Sequence, residues 1–231
     1  MHIGLVEQLL CPRCGPPYGL ILLAQEVRER RVQQGEFGCP KCRGSYPVEA
    51  GFGDLRPPPR SPAPSARAAA ARVASDPDAA LRLAAALGVA QGPGVLLLDD
   101  FHASDARALA GIVDDVEVVV AGWGGQGVAG PGLSAFVAGG TIPIRDGAAL
   151  GVAVGGDRDE AAWSESLRVL ADGGRLVISG PSDASREWVR RNGLVQLLDG
   201  GGMLVATVPP AGPKPRPAMW RGPGVPSSPS G

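Results

Sequence analysis

Apolar residues in this chain form short runs that alternate with segments of helical periodicity. Each run spans four or five mostly apolar residues, which is typical of strands buried on both faces of a sheet. The runs occupy residues 95–98, 116–120, 150–154 and 175–179. The helical segments occupy residues 77–88, 105–113, 159–171 and 183–191. This alternation predicts an α/β fold with a Rossmann-like, doubly wound, mostly parallel sheet.

The last two apolar runs carry a different signal. Residues 194–198 and 203–208 are joined by Asp199-Gly-Gly-Gly202, a connection suited to a tight turn. We therefore expect an antiparallel hairpin at the carboxyl end of the sheet.

Composition divides the chain near residue 56, because all four cysteines lie before it and a proline-rich stretch follows it. Such a stretch is typical of an extended spacer. The predicted divisions are a zinc-ribbon domain at 1–56, a linker at 57–64, a Rossmann-like domain at 65–208 and a disordered proline-rich tail at 209–231. An Ala- and Arg-rich helix is also expected at residues 65–74.

Charge and hydropathy exclude several classes of function. The chain has 22 Lys and Arg against 23 Asp and Glu, a net charge of -1, so it has no general attraction for nucleic acids or anionic membranes. No apolar run approaches the roughly 20 residues that span a bilayer. The amino terminus lacks the basic-then-apolar order of a signal peptide. We expect a cytoplasmic protein with no membrane partner.

The cysteines form two Cys-x-x-Cys pairs, Cys11-Pro-Arg-Cys14 and Cys39-Pro-Lys-Cys42. Two such pairs are typical of a tetrahedral zinc site, in which each tight turn presents two thiolates to one ion. Disulfides and a redox-active pair are the alternatives. A site closed by four cysteines leaves no coordination position for substrate, so the expected Zn²⁺ is structural.

The first 56 residues resemble a known family of small proteins. Leu9-Leu10-Cys-Pro-x-Cys, a second Cys-Pro-x-Cys and the segment Tyr46-Pro-Val-Glu-Ala-Gly51 are similar to the zinc-binding activator subunit of tRNA, rRNA and release-factor methyltransferases. That resemblance implies a protein partner, either a methyltransferase or a translation factor. Activator subunits add a strand to the sheet of their partner, so the ribbon is also a candidate to clamp its own second domain.

The second domain resembles class I S-adenosylmethionine-dependent methyltransferases of the type 11 group. The resemblance rests on two stretches, Ser166-Leu-Arg-Val-Leu-Ala-Asp-Gly-Gly-Arg-Leu-Val-Ile178 and Ile142-Pro-Ile-Arg-Asp-Gly147. It implies S-adenosylmethionine as a cofactor, bound at the carboxyl ends of the first two strands. If the cofactor binds, Asp99, Asp100 and Gly122 are the residues expected to line its site.

The sequence departs from that family in the cofactor loop. Leu97 stands where the family has an acidic residue, and Asp99, Phe101 and Ala103 stand where it has three glycines. Glycines there allow close backbone contact, so we expect side chains, above all the Phe101 ring, to fill space that the cofactor needs. The carboxylates of Asp99 and Asp100 would also oppose the carboxylate of the cofactor.

Two weaker signals lie close to this loop. The stretch Gly122-Trp-Gly-Gly-Gln-Gly127 matches a dinucleotide-binding pattern, but so many residues are glycine, 35 of 231, that about one such match is expected by chance. His102 lies among acidic residues, a grouping that suggests acid–base chemistry, a cation site or simply a solvated loop.

The preferred hypothesis is a non-catalytic, methyltransferase-like scaffold or partner protein, a pseudoenzyme with a structural zinc site. The first alternative is an active S-adenosylmethionine-dependent methyltransferase that acts on RNA or a translation factor. The second is a nucleic-acid-binding module that uses Arg13, Lys41 and Arg43 of the ribbon.

Overall fold

The structure is a computed structural model that describes residues 1–61, 77–156 and 158–210. The predicted helix at 65–74, the end of the linker and the tail beyond residue 210 lie outside the described residues. Within the described ranges, no helix is both long and apolar enough to cross a bilayer.

The amino-terminal part is an antiparallel sheet of four strands that follows a 3-10 turn (Ile3–Gln8). Its core consists of Phe37, Tyr46 and Val48, which are almost fully buried. The first two strands form a hairpin across Glu29 and Arg30. The four strands are β1 (Ile21–Arg28), β2 (Arg31–Gly38), β3 (Ser45–Glu49) and β4 (Phe52–Leu55).

Every strand of the second part contains an apolar run. Residues 118–120 at the centre of β6 are fully buried, as expected for a parallel sheet that is covered on both faces. The strands are β5 (Gln91–Asp99), β6 (Asp114–Ala121), β7 (Leu133–Ala138), β8 (Ala149–Gly155), β9 (Leu170–Ser179), β10 (Val195–Gly200) and β11 (Met203–Thr207).

The helices of the second part begin and end at residues that favour helix termini. The Asp159 carboxylate accepts a hydrogen bond of 2.8 Å from the Ala162 amide, and Ser182 caps the last helix in the same way. Gly88 ends the first helix with a φ of 66°. The helices are α1 (Pro77–Leu87), α2 (Ala106–Ala110), α3 (Glu160–Val169) and α4 (Asp183–Arg191).

The strands of the second part lie in the order β7-β6-β5-β8-β9-β11-β10. The pairings from β7 through β9 are parallel, and β11 is antiparallel to both β9 and β10. The order reverses at β5, as in doubly wound folds. The predicted fold class, a mostly parallel Rossmann-like sheet with an antiparallel carboxyl-terminal hairpin, is confirmed.

Some element boundaries differ from the expected ones: α2 covers Ala106–Ala110 instead of 105–113, and β5 begins at Gln91 instead of at residue 95. Helix α3 ends at Val169, and Gly173 and Gly174 lie inside β9 instead of ending the helix. The chain between Leu170 and Arg175 bulges out of the ladder with β8. The backbone of Gly173 bonds instead to residues near the end of β11, including Val208 at 3.1 Å.

Within the part of the chain that the structure describes, the two parts share one sheet of eleven strands. Strand β4 pairs in parallel with β7, so that Phe52 lies beside Ala135 and Leu55 beside Ala138. The ribbon therefore adds its last strand to the sheet of its own second part.

A buried ion pair reinforces this junction. Arg31 of β2 donates two hydrogen bonds of 2.9 Å to the carboxylate of Glu117 in β6 and a third to the Leu133 carbonyl. The two charged side chains are only 11% and 14% exposed. Ser134 also donates to Glu117 and accepts a bond of 2.8 Å from the His2 amide. The ribbon is thus tied to the sheet through charge as well as through backbone pairing.

Replacing Arg31 with Met should lower the free energy of unfolding by about 3–5 kcal/mol, because Glu117 would remain buried without its cation. Urea unfolding at pH 7 measures the change. Arg28→Gln is the matched control, since the Arg28 side chain is 77% exposed and its loss should cost less than about 1 kcal/mol. Equal effects of the two substitutions would show that the buried pair does not hold the ribbon in place.

Candidate functional site

The four cysteines converge at the end of the ribbon that lies away from the β1–β2 turn. Each Cys-x-x-Cys pair forms a tight turn: the Gly15 amide bonds to the Cys11 carbonyl, and the Arg43 amide bonds to the Cys39 carbonyl. Both turns end in a residue with positive φ, 63° at Gly15 and 57° at Arg43. Two similar turns thus face each other.

The sulfur atoms have the spacing of a metal site. All four lie within 4.8 Å of one another, with 3.7 Å between the sulfurs of Cys11 and Cys42 and 3.9 Å between those of Cys14 and Cys39. Four sulfurs about 2.3 Å from a zinc ion stand at the corners of a tetrahedron with edges of about 3.8 Å. The cysteines are therefore positioned to bind a metal ion.

The thiolate is the form that binds metals, and the cysteines of the cluster differ in how far their surroundings favour it. Burial is the largest cause that raises the pKa of the Cys14 thiol, to about 12, and the pKa of the Cys39 thiol. Burial raises the pKa of the Cys11 thiol, but hydrogen bonds from the Tyr46 hydroxyl and from backbone amides outweigh burial and lower that pKa to about 7. Gly44 gives the cluster room, since a Cβ there would lie 3.2 Å from both the Cys42 sulfur and the Tyr46 hydroxyl.

The first cysteine turn also contacts the second part of the chain. The Leu10 amide donates to the Pro143 carbonyl at 3.0 Å, and the Arg145 amide donates to the Gln8 carbonyl at 2.9 Å. Residues 142–147, one of the two stretches that resemble methyltransferases, are therefore held against the metal-binding end of the ribbon.

Arg168 of α3 holds the same segment from its other side. Its guanidinium donates to the carbonyls of Ile142 and Ile144 at 2.6 and 2.8 Å and to the carboxylates of Asp146 and Glu165. Burial raises the pKa of the Glu165 carboxyl, but the bonds from Arg168 and from the Ile142 amide outweigh burial and hold that pKa below its ordinary value.

A cavity of about 320 Å³ opens where the parallel strands end. It lies at the carboxyl ends of the strands around β5, the point at which the strand order reverses and at which doubly wound folds bind ligands. The three residues expected at a cofactor site, Asp99, Asp100 and Gly122, all line it. The structure therefore brings them together, and their role in cofactor binding stays a prediction.

Asp99 bonds to groups on both sides of the reversal point. Its carboxylate accepts from the amides of Phe101 and His102 in its own loop, at 3.0 and 3.4 Å. It also accepts from the Gly155 amide at the end of β8, at 2.9 Å, and pairs with Arg158. Only 7% of Asp99 is exposed, so its charge is compensated almost wholly within the protein.

Asp100 connects the loop after β5 to the turn after β6. Its carboxylate accepts a hydrogen bond of 2.6 Å from the Gly124 amide, in the turn after β6. Any side chain at Gly122 would collide with this carboxylate. The two aspartates thus tie the end of β5 to the ends of both neighbouring strands.

The expectation that the Phe101 ring plugs the cofactor crevice is wrong. Phe101 does not line the cavity, and 60% of it is exposed. The ring packs over the backbone of Gly155, where a Cβ would collide with it. The peptide turns between Asp100 and His102 as a 3-10 turn, which directs residue 101 away from the crevice.

The glycine-rich stretch after β6 does not open a helix. Trp123–Gly125 is a 3-10 turn, and β7 begins at Leu133 without the α-helix that a dinucleotide-binding pattern requires.

Sequence reasoning missed two cavity residues, Arg56 and Trp123. The Arg56 guanidinium lies 4.6 Å from the centre of the Trp123 ring, a cation–π geometry, and pairs with Asp54 at 2.7 Å. Nothing near residue 56 indicates this position, because it depends on the pairing of β4 with β7. Arg158, which pairs with Asp99, also lines the cavity, and its neighbour at 157 lies outside the described residues.

Comparison with known proteins gives no match to any family model and no match among curated proteins. Solved structures of similar fold include a tRNA methyltransferase of Aquifex aeolicus (10% identity, TM-score 0.46, 59% of this chain and 70% of that chain). Another is geranyl diphosphate C-methyltransferase of Streptomyces coelicolor (16%, TM-score 0.42, 56% and 79%). A third is a SAM-dependent methyltransferase of Aquifex aeolicus (12%, TM-score 0.43, 58% and 99%). Because the sequence identities and TM-scores are this low, we draw no conclusion about the function of this chain from these structures.

The free energy of unfolding should fall at acidic pH partly because Glu165 becomes protonated. A carboxylate whose pKa is lowered by folding contributes stability above its unfolded pKa, about 4.3, and loses it as the pH falls through the folded value. Urea unfolding between about pH 5 and pH 3 should therefore show a steeper loss for the wild type than for Glu165→Gln. Parallel stability curves for the two proteins would contradict this account of the carboxylate.

Proposed function

We propose that this protein is a non-catalytic, methyltransferase-like scaffold with a structural zinc site. The observation that supports it best is the position of the Asp99 carboxylate. That group accepts hydrogen bonds from the ends of both β5 and β8, across the reversal point at which a doubly wound fold would otherwise hold a ligand.

The electrostatics of the loop argue against a bound cofactor. Backbone amides at the start of a loop or helix attract anions, and in this chain the amides of Phe101 and His102 already bond to Asp99. The carboxylate of S-adenosylmethionine would have to displace a buried carboxylate that also pairs with Arg158. Displacing it would leave that charge buried without its partners, at a cost of several kcal/mol.

The end of β6 gives a second argument. In the resembled family this strand ends in an acidic residue that binds the ribose hydroxyls, whereas here it ends in Val119, Val120 and Ala121 and is followed by Gly122. The nearby carboxylate of Asp100 already accepts from the Gly124 amide. The carboxylates and backbone amides that line the crevice therefore form hydrogen bonds with one another.

The proposed partner is a methyltransferase or a translation factor. In an activator subunit, a strand of the ribbon would join the sheet of the partner. In this chain the last strand of the ribbon, β4, already pairs with β7 of the second part. The free edge of the ribbon is β1, where Ile21 and Leu23 are each 55% exposed. Exposed apolar residues on an edge strand suit strand-to-strand association.

The cavity favours a second candidate, an active methyltransferase that acts on RNA or a translation factor. Its volume of about 320 Å³ is at the lower end of the range of small-molecule sites. Arg56, over the Trp123 ring, would supply a cation and an aromatic face to such a ligand.

A nucleic-acid-binding role for the ribbon has less support. Arg13, Lys41 and Arg43 are exposed, but three cations form a small patch on a chain of net charge -1. Binding that weakens steeply with salt would distinguish this role from the other two.

Titration calorimetry of the zinc-loaded full chain with S-adenosylmethionine or S-adenosylhomocysteine should show no binding up to about 1 mM, because the crevice donors already bond to Asp99 and Asp100. A Kd below about 1 mM that Gly122→Val abolishes would overturn the proposal and favour the second candidate. Gly200→Ala is the matched control, since a Cβ at Gly200 meets no atom within 4 Å and Gly200 has no positive φ.

The purified chain should contain one zinc ion, and its removal should destabilise the ribbon, because metal binding supplies folding free energy to small domains. Metal analysis and thermal unfolding with and without a chelator test this. Cys42→Ser should lose the metal, whereas Ser45→Ala, an exposed neighbour, should retain it. A metal-free chain that unfolds at the same temperature as the loaded one would contradict the zinc proposal.

A further inference from the structure

A second polar cluster lies behind the loop that closes the crevice. The hydroxyl of Ser179, at the carboxyl end of β9, is 3.2 Å from Nε2 of His102. The other ring nitrogen, Nδ1, is 3.7 Å from a carboxylate oxygen of Asp105. Serine, histidine and aspartate thus stand in the order that activates a hydroxyl for attack.

The side chains of Ser179, His102 and Asp105 are largely buried. The proposed scaffold function assigns no role to them. Ser179 is 9% and His102 is 5% exposed, and 15% of the Asp105 side chain is exposed. For Nε2 to accept the serine proton, Nδ1 must carry the ring proton, and it then points toward Asp105. The carboxylate therefore favours the tautomer in which Nε2 is a base.

The cluster opens into a cavity of its own, of about 200 Å³. This cavity has no lining residue in common with the crevice at β5. Its walls combine apolar side chains, those of Leu83, Phe101 and Met203, with charged ones, those of Arg82 and Asp105. Its volume and its apolar side chains suit a short acyl chain beside the Ser179 hydroxyl, which lines the cavity.

The backbone around the cluster is held in place. The Asp105 amide donates to the His102 carbonyl at 3.1 Å, and the Gly180 amide donates to the Gly202 carbonyl at 2.8 Å. The Phe101 ring packs edge-on to the imidazole, with 5.0 Å between the ring centres. The side chains are thus positioned before any substrate binds, which lowers the cost of reaching the reactive geometry.

We propose that Ser179 and His102 form a hydrolytic site for esters of short-chain carboxylic acids, in which Asp105 is a positioning residue. The site lies on the face of the loop opposite the crevice and does not require S-adenosylmethionine, and the scaffold proposed above is non-catalytic with respect to methyl transfer only. The separation of 3.7 Å between His102 and Asp105 is long for a hydrogen bond, and such contacts commonly shorten when substrate binds.

The reaction proceeds in two balanced steps. The Ser179 oxygen attacks the ester carbonyl carbon while His102 Nε2 takes the hydroxyl proton. The carbon–oxygen bond to the alcohol then breaks, and His102 returns the proton to the departing oxygen, which leaves an acyl-serine. Water next attacks the acyl carbon and gives a proton to His102. The bond to Ser179 breaks, its oxygen regains the proton, and the carboxylic acid departs.

A fluorophosphonate probe tests the nucleophile directly. The zinc-loaded full chain should form a covalent adduct that peptide mass spectrometry locates at Ser179, because the neighbouring base raises the nucleophilicity of that hydroxyl. Ser179→Ala and His102→Gln should not be labelled. Ser185→Ala is the matched control: Ser185 is also buried, but its hydroxyl donates to the Ser182 carbonyl, 2.8 Å away. An unlabelled wild type, or labelling that survives His102→Gln, would overturn the proposal.

Hydrolysis of p-nitrophenyl acetate tests turnover. Ser179→Ala and His102→Gln should each lower kcat by about 100-fold or more, the usual contribution of a nucleophile and its base. Asp105→Asn should lower kcat about tenfold and leave KM within about twofold, because a positioning residue acts through the imidazole. Thermal unfolding confirms that each variant is folded. Equal rates for the wild type and Ser179→Ala would refute the assignment.

Discussion

The parallel pairing of β4 with β7 is the contact on which the rest of the structure depends. A ribbon of about 55 residues buries too little surface to be stable alone, and β7 would otherwise be a bare edge of the second sheet. Pairing Phe52–Leu55 with the residues around Phe136 solves both problems at once. The buried pair of Arg31 and Glu117 adds a charged contact that other alignments of the two parts would leave unmade.

From this junction a chain of contacts connects the cysteine cluster to the crevice. The turn that holds Cys11 bonds to residues 142–147, Arg168 bonds to the same residues from the opposite side, and α3, which carries Arg168, forms one wall of the cavity. A structural metal would therefore act beyond the ribbon. It would hold in place a segment that shapes the crevice, although it lies outside the crevice itself.

The loop that follows β5 has two chemically different faces. On one face the carboxylates of Asp99 and Asp100 accept hydrogen bonds from the amides of Gly155 and Gly124 at the neighbouring strand ends. On the other face His102 meets Ser179, the last residue of β9. One short loop thus places the carboxylates of Asp99 and Asp100 at the crevice and the imidazole of His102 beside Ser179.

Much of this arrangement could be predicted from the sequence. The order of strands and helices follows from the periodicity of apolar residues. The four cysteines of the candidate metal site follow from the spacing within the two Cys-x-x-Cys pairs. Both signals depend on residues that lie close together in the chain. The expectation for Phe101 was wrong because a single turn decides which face of a loop a side chain occupies. The positions of Arg56 and Ser179 had no local signal. They depend on the order in which distant strands pair, and that order is set by packing of the whole sheet, which only the tertiary structure decides.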